Sequence, residues 1–171
     1  MMTLNFTLNG KEVTCLISPE MTLLTVLKEV LHINSVKRAC LGGECGACTV
    51  ILDGNAVNSC LVFAATVEGK SVTTVEGIGT PDNLHPVQKA FLESGAFQCG
   101  FCTPGFIMSS VALLAKNPHP TEDEIRYGLS GNLCRCTGYV KPVEALKKLA
   151  GSDVNPDAVK AVQDAVERMG R

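Results

Sequence analysis

Cys40-Leu41-Gly42-Gly43-Glu44-Cys45-Gly46-Ala47-Cys48, followed after a short interval by Cys60, is the stretch that decides the fold. Its cysteines stand at the C-x4-C-x2-C…C spacing of a plant-type [2Fe–2S] centre. Thiolates that reach both irons of such a cluster must come from a loop folded tightly around a bulky anion, with backbone N–H groups close to its sulfurs. Gly42, Gly43 and Gly46 lie between the ligands, where a side chain would block that approach or forbid a positive φ. Three cysteines and three glycines within so short a segment fit a cluster-wrapping loop better than a zinc knuckle, the alternative for this quartet.

Upstream, Thr3–Leu8 and Glu12–Ile17 alternate polar and apolar residues around Asn9-Gly10, a dipeptide suited to a tight hairpin turn. Ser18-Pro19 ends that hairpin. Leu23, Leu24, Leu27, Val30 and Leu31 then recur at helical spacing, with Thr22 as N-cap, and this helix should cross one face of the sheet. Downstream, Thr49–Leu52 and Ala56–Ser59 flank Asp53-Gly54-Asn55 as a second hairpin, which can swing Cys60 back over the cysteine loop. Ser71–Val75 adds a further strand, so a small mixed sheet crossed by one helix is expected.

At Gly77-Ile78-Gly79-Thr80-Pro81-Asp82-Asn83 the composition shifts to that of a linker, and beyond it the strand signal vanishes. Four helices are predicted there. Val87, Ala90, Phe91 and Ser94 space the first. The second has Pro104 at its N1 position and carries Phe106, Ile107, Ser110, Val111 and Leu114, ending before Pro118. Thr121-Glu122-Asp123-Glu124 is a capping box for the third, and the fourth runs over Val143–Ala150 after Pro142. The fold class is therefore α+β, with domains at 1–78 and 79–150. A C-terminal extension at 151–171 has Val159, Val162, Val166 and Met169 on one helical stripe, suited to packing on its own domain or docking to a partner.

The helical half holds a second quartet, Cys99, Cys102, Cys134 and Cys136, so eight of the nine cysteines fall into two groups. C-x2-C followed by a distant C-x-C is neither the bacterial four-iron pattern nor a zinc-finger spacing. Each half of it ends Cys-Thr, then glycine, then an aromatic, and each is expected at a helix start, where free N–H groups and the helix dipole favour added negative charge. Arg135 between two ligands would act the same way if it points inward. Tetrahedral zinc tolerates this quartet too, which leaves a zinc-stabilised interaction module as the reading from a different class. Two redox centres in one chain, by contrast, make a wire.

The remaining residues narrow the function by what they lack. Cys15 falls on a predicted strand as a buried thiol, and His32, His85 and His119 are not spaced to replace a cysteine ligand. No phosphate-binding loop, nucleophile elbow or paired-carboxylate constellation is present. A formal net charge of −2 gives no reason to expect nucleic acid or an anionic membrane. No apolar run approaches the roughly 18 residues needed to span a bilayer. The start of the chain resembles a strand rather than a signal peptide, so a reduced, cytoplasmic setting is expected. Substrate chemistry is expected on another subunit.

Three blocks carry a family resemblance: Ser35-Val36-Lys37 through Gly43-Glu44-Cys45-Gly46-Ala47-Cys48-Thr49-Val50; Gln98-Cys99-Gly100-Phe101-Cys102-Thr103-Pro104-Gly105; and Gly131-Asn132-Leu133-Cys134-Arg135-Cys136-Thr137-Gly138-Tyr139. In order and spacing they resemble the iron–sulfur subunit of the molybdenum hydroxylases, the xanthine dehydrogenase family, over roughly residues 3–150. Ala39, where glycine is common, and the longer tail depart from the pattern. The resemblance implies a β-grasp ferredoxin-like domain, then an all-α four-helix domain, each with one [2Fe–2S] cluster. It further implies that the cluster of Cys99, Cys102, Cys134 and Cys136 lies beside molybdopterin in a large subunit. The cluster of Cys40, Cys45, Cys48 and Cys60 would then face an FAD subunit or another acceptor. Gln98 and Cys136 carry over as pterin contacts. Asn58-Ser59-Cys60-Leu61, Glu68-Gly69-Lys70 and Val87-Gln88-Lys89-Ala90-Phe91 look closest to purine or xanthine enzymes, while aldehyde, nicotinate, carbon monoxide and hydroxybenzoyl-CoA enzymes use similar subunits.

Overall fold

The computed structural model describes residues 1–151 together with Lys160 and Asp164. The extension residues Val159, Val162, Val166 and Met169 lie outside the described residues.

β1 (Met2–Leu8) and β2 (Lys11–Ile17) pair antiparallel with Phe6 opposite Val13. Asn9 and Gly10 turn the chain at φ 51° and 77°, the left-handed pair that matches strand twist in a two-residue hairpin. β3 (Thr49–Leu52) and β4 (Asn55–Asn58) form the second hairpin. β5 (Ser71–Thr73) runs parallel to β1 and antiparallel to β3, giving a five-stranded sheet in the order β2-β1-β5-β3-β4.

The strand expected over Ser71–Val75 stops two residues early. Asn9 Oδ1 accepts from the Thr74 N–H at 2.8 Å, Thr74 Oγ1 bonds Glu76, and the chain turns into the short helix α2 (Val75–Ile78). Part of the expected linker is thus ordered structure, tied back to the first hairpin. The helix after Thr22 also departs from expectation: α1 (Leu23–Thr25) passes into a π-helical turn, Val26–Val30, closed by Leu31 N–H donating to the Val26 carbonyl. Leu23, Leu24, Val26 and Leu27 are all buried along it.

After α2 come α3 (Pro86–Glu93), α4 (Thr103–Lys116), α5 (Glu122–Leu129) and α6 (Val140–Ala150). Pro86 occupies the first turn of α3, where its missing N–H costs nothing, and His85 Nδ1 caps the Val87 N–H. Thr121 and Glu124 close the capping box of α5 in both directions.

Two apolar cores result. Leu4, Phe6, Leu8, Ile17, Leu27, Val50 and Val72 fill the first, between sheet and α1. Phe91, Phe106, Met108, Val111, Ile125 and Leu146 fill the second, among the helices. The cores share a wall. Val50 belongs to the first and its neighbour Ile51 to the second, because β3 is buried on both faces, with α4 packed against it. The run Val50-Ile51-Leu52 has the continuous apolar character that double burial demands. Lys116 at the end of α4 donates to the Asn55 side chain at 3.0 Å and pins the same contact.

Candidate metal centres

The first quartet lies in the loop between the π-helical turn and β3, with its fourth member in the 3-10 turn Ser59–Leu61 that follows β4. Gly43 and Gly46 take φ 79° and 65°. A Cβ on Gly43 would stand 2.3 Å from Leu61 Cδ1, and one on Gly46 would stand 2.4 Å from both Asn132 Nδ2 and the Gly131 carbonyl oxygen. Gly46 therefore serves the approach of the helical half as well as the turn. Gly42, expected to act alike, has an ordinary φ; its role is an N–H that reaches Cys40 Sγ at 3.4 Å. Leu41 instead carries the left-handed φ of 59°, an unusual conformation for a bulky residue and one that sequence alone does not announce.

Side chains fasten the loop from outside. Asn58 Nδ2 donates to the Gly43 carbonyl at 2.7 Å, Thr49 Oγ1 to the Gly46 carbonyl at 2.7 Å and Ser59 Oγ to the Cys48 carbonyl at 2.8 Å. Asn132, only 3% exposed, reaches across from the helical half to the Gly46 carbonyl at 3.0 Å.

Among the described residues, no three His, Cys, Asp or Glu side chains converge as they would on one metal ion. The thiols instead meet two by two. Cys40 is hydrogen-bonded to Cys45, and Cys48 to Cys60. In the helical half the Cys102 thiol is hydrogen-bonded to that of Cys134, while Cys136 Sγ donates to Cys99 Sγ at 3.7 Å. Two pairs per site match the demand of a two-iron cluster, in which each iron takes two protein thiolates. Donor type, number and pairing fit a [2Fe–2S] group at both places.

The pairs differ in their protonation. Cys40 is exposed and held down to about 6, first by the Gly42 N–H and then by the N–H and thiol of Cys45. Burial and the adjoining Cys48 push Cys60 up to about 11. Burial and Cys134 likewise push Cys102 up to about 12. At Cys134 burial works upward too, but the Thr137 hydroxyl and N–H outweigh it and bring the thiol down to about 7. Its hydrogen bond to Cys99 raises Cys136. The lowered thiols are thus Cys40 in the first quartet and Cys134 in the second.

All four cysteines of the second quartet line an open cavity of about 610 Å³, shared with Cys45, Phe101, Arg135 and Tyr139. Cys102 stands at the start of α4 as expected. Cys134 and Cys136 do not stand at a helix start: Gly138 and Tyr139 take φ 62° and 67°, and α6 begins only at Val140. The turn is held by the Tyr139 N–H donating to Thr137 Oγ1 at 3.3 Å. Gln98 Nε2 donates to the Cys136 carbonyl at 3.2 Å, bringing those two residues together at the exposed edge.

Cys15 lies on β2 opposite Leu4, packed against the first core, and burial raises its thiol. His85 caps a helix, and His119 Nδ1 sits 3.4 Å from the Ala150 carbonyl. Asn132, Thr137 and Tyr139 are functional neighbours that spacing arguments pass over. They stand within the third sequence block, where proximity to the C-x-C pair was the available signal.

The chain also resembles known proteins. Residues 6–74 match the model of a 2Fe-2S iron-sulfur cluster binding domain, and residues 74–147 that of a [2Fe-2S] binding domain. The nicotinate dehydrogenase small FeS subunit of Eubacterium barkeri is 47% identical over 139 residues, covering 81% of this chain and 88% of its own. The xanthine dehydrogenase iron-sulfur-binding subunit of Escherichia coli O157:H7 is 50% identical over 139 residues, covering 80% and 87%. The crystal structure of the aldehyde oxidoreductase from Desulfovibrio desulfuricans ATCC 27774 superposes with a TM-score of 0.84 at 44% identity, over 100% of this chain and 18% of that one. Nicotinate, xanthine and aldehyde enzymes match alike, so the purine lean gains no specific support. With both cluster-domain models matched across nearly its whole described length, the chain belongs to the iron–sulfur subunits of the molybdenum hydroxylases, which are parts of oxidoreductase complexes.

Proposed function

We propose that this chain carries electrons one at a time through two [2Fe–2S] clusters, held by Cys40, Cys45, Cys48 and Cys60 and by Cys99, Cys102, Cys134 and Cys136. The division at 1–78 and 79–150, the latter a four-helix domain, gives each cluster its own scaffold. When bound, such clusters supply reversible one-electron storage. The observation that carries the proposal is the contact between the sites: the Leu133 N–H donates to the Cys45 carbonyl at 2.9 Å, joining a residue of the first quartet to the neighbour of Cys134. Cys45 also lines the cavity of the second quartet.

Exposure supports a direction. Gln98, Cys99 and Cys136 form an open edge suited to a molybdopterin-bearing large subunit, with Gln98 and Cys136 toward the pterin. Cys102 and Cys134 face inward, Cys45 receives the hydrogen bond across the domain contact, and exposed Cys40 and Leu41 mark the exit toward an FAD subunit or another acceptor. The match to only 18% of the Desulfovibrio chain supports a larger catalytic partner. Substrate choice belongs to that partner. The purine reading rests on the Asn58–Leu61, Glu68–Lys70 and Val87–Phe91 segments, beside nicotinate and aldehyde as equal alternatives. No helix among the described residues is long and apolar enough to cross a membrane, and a cytoplasmic setting suits unpaired thiols.

Metal and acid-labile sulfide analysis of the purified chain tests this reading. It should give about four irons and four sulfides per chain, two of each per cluster. Stoichiometric zinc without sulfide would replace it with the zinc-stabilised interaction module.

A further inference from the structure

Around Cys134 the structure holds a closed hydrogen-bond ring. The Tyr139 N–H donates to Thr137 Oγ1 at 3.3 Å, Thr137 Oγ1 lies 3.1 Å from Cys134 Sγ, and the Cys134 N–H donates to the Tyr139 hydroxyl at 3.1 Å. The Thr137 hydroxyl donates to the sulfur while its oxygen accepts from the Tyr139 N–H. The ring is bought with strain: Tyr139 sits at φ 67°, and its side chain is braced against Phe106 with ring centroids 6.3 Å apart. The matching threonine of the sequence echo does nothing similar, since Thr103 Oγ1 is buried with no hydrogen-bond partner.

We propose that Thr137, oriented by Tyr139, raises the reduction potential of the second cluster by donating its hydroxyl proton to Cys134 Sγ. The inference rests on the two-cluster reading and assigns a tuning residue within it. A [2Fe–2S] cluster held by Cys134 and its partners would carry more negative charge on the cysteine sulfurs after taking up one electron. A donor aimed at one of them strengthens in the reduced form and favours it. The Thr137 N–H reaches the same sulfur at 3.4 Å, but it is backbone and survives substitution. The hydroxyl is the part of the arrangement that a side-chain change can remove. Thr137 is a positioning and tuning residue; its electron balance involves no bond made or broken.

The experiment is a redox titration followed by EPR on the iron-loaded chain, comparing wild type with Thr137→Val, Thr137→Ser and Thr137→Ala. The valine variant keeps the shape and loses the donor. At the wild-type midpoint its reduced-to-oxidised ratio at the second cluster should fall about tenfold, which for one electron is about 59 mV lower. The first cluster's midpoint should not move. Serine should hold the wild-type value. If valine prevents loading, serine against alanine gives the same comparison, because both lack the methyl group and differ only in the hydroxyl. Unchanged potentials in a loaded valine or alanine variant would overturn the inference, as would a serine variant shifted as far as alanine. Absence of iron and sulfide from the wild-type chain would instead refute the two-cluster reading itself.

Discussion

In the sheet loop the thiol held lowest is Cys40, and the groups that lower it are the N–H groups of Gly42, Cys45 and Glu44 together with the Cys45 thiol. In the helical half it is Cys134, where the Thr137 hydroxyl leads the groups acting against burial. The two halves thus reach a similar end by different means. A backbone donor is set by φ and ψ and is disturbed only by changes that refold the loop. A hydroxyl donor can be removed while the chain stays in place. Both sites use backbone N–H donors, and the second adds a side-chain hydroxyl whose removal should act on the site without refolding the loop.

The largest expected effect follows from Gly46→Ala. The new Cβ would occupy the place of Asn132 Nδ2 and the Gly131 carbonyl at a φ of 65°. Overpacking against backbone combined with left-handed strain should cost about 3–5 kcal/mol and empty the first site, read by urea unfolding and iron content. Gly10→Ala, with a similar φ but no atom within 4 Å of the Cβ, should cost only about 1–2 kcal/mol. Equal losses would show that the domain contact at Gly46 is unimportant.

Next come the ligands. Cys45→Ser should abolish or alter the first EPR signal and leave the second, while Cys136→Ser should do the reverse and also weaken association with the molybdenum subunit. Loss of both signals in a folded Cys45 variant would contradict separate sites.

Asn132→Ala removes a buried donor and leaves the Gly46 carbonyl short of one partner, though Thr49 still bonds it at 2.7 Å. A loss of about 1–3 kcal/mol is expected, together with a change in the magnetic interaction between clusters. A change in stability with no change in interaction would confine Asn132 to scaffolding.

The smallest effect concerns Glu76, which ties Ser35 at the start of the cysteine loop to Thr74. Burial raises its carboxyl, but hydrogen bonds from Ser35 and Thr74 prevail and hold it below the usual 4.5. A carboxyl lowered on folding stabilises above its unfolded pKa and loses that contribution as pH falls through its folded value. Glu76→Gln should therefore cost about 1 kcal/mol at neutral pH, less with solvent screening, and should flatten the acid side of the stability curve. Parallel curves for the two proteins would remove Glu76 from the account.

Much of this was legible before the structure. Asn9-Gly10 announced its turn because only a few residues tolerate two consecutive left-handed conformations, and Thr121–Glu124 announced α5 because a reciprocal cap is written in four residues. The cysteine quartets were legible by spacing. What escaped depends on contacts distant in sequence. Ile51 belongs to the helical core because α4 covers the far face of β3, which no local period reveals. Leu41 and Tyr139 adopt left-handed φ values held by their surroundings, and Asn132 matters through a partner 86 residues away.

The most direct test of two adjacent, unequal clusters is low-temperature EPR of the chain during stepwise reduction. The account predicts two distinct rhombic or axial signals of about one spin each, with lines broadened or split when both clusters are reduced, because the Cys45–Leu133 contact sets the two cysteine sites side by side. A single signal at full reduction, or two signals indifferent to one another, would contradict it.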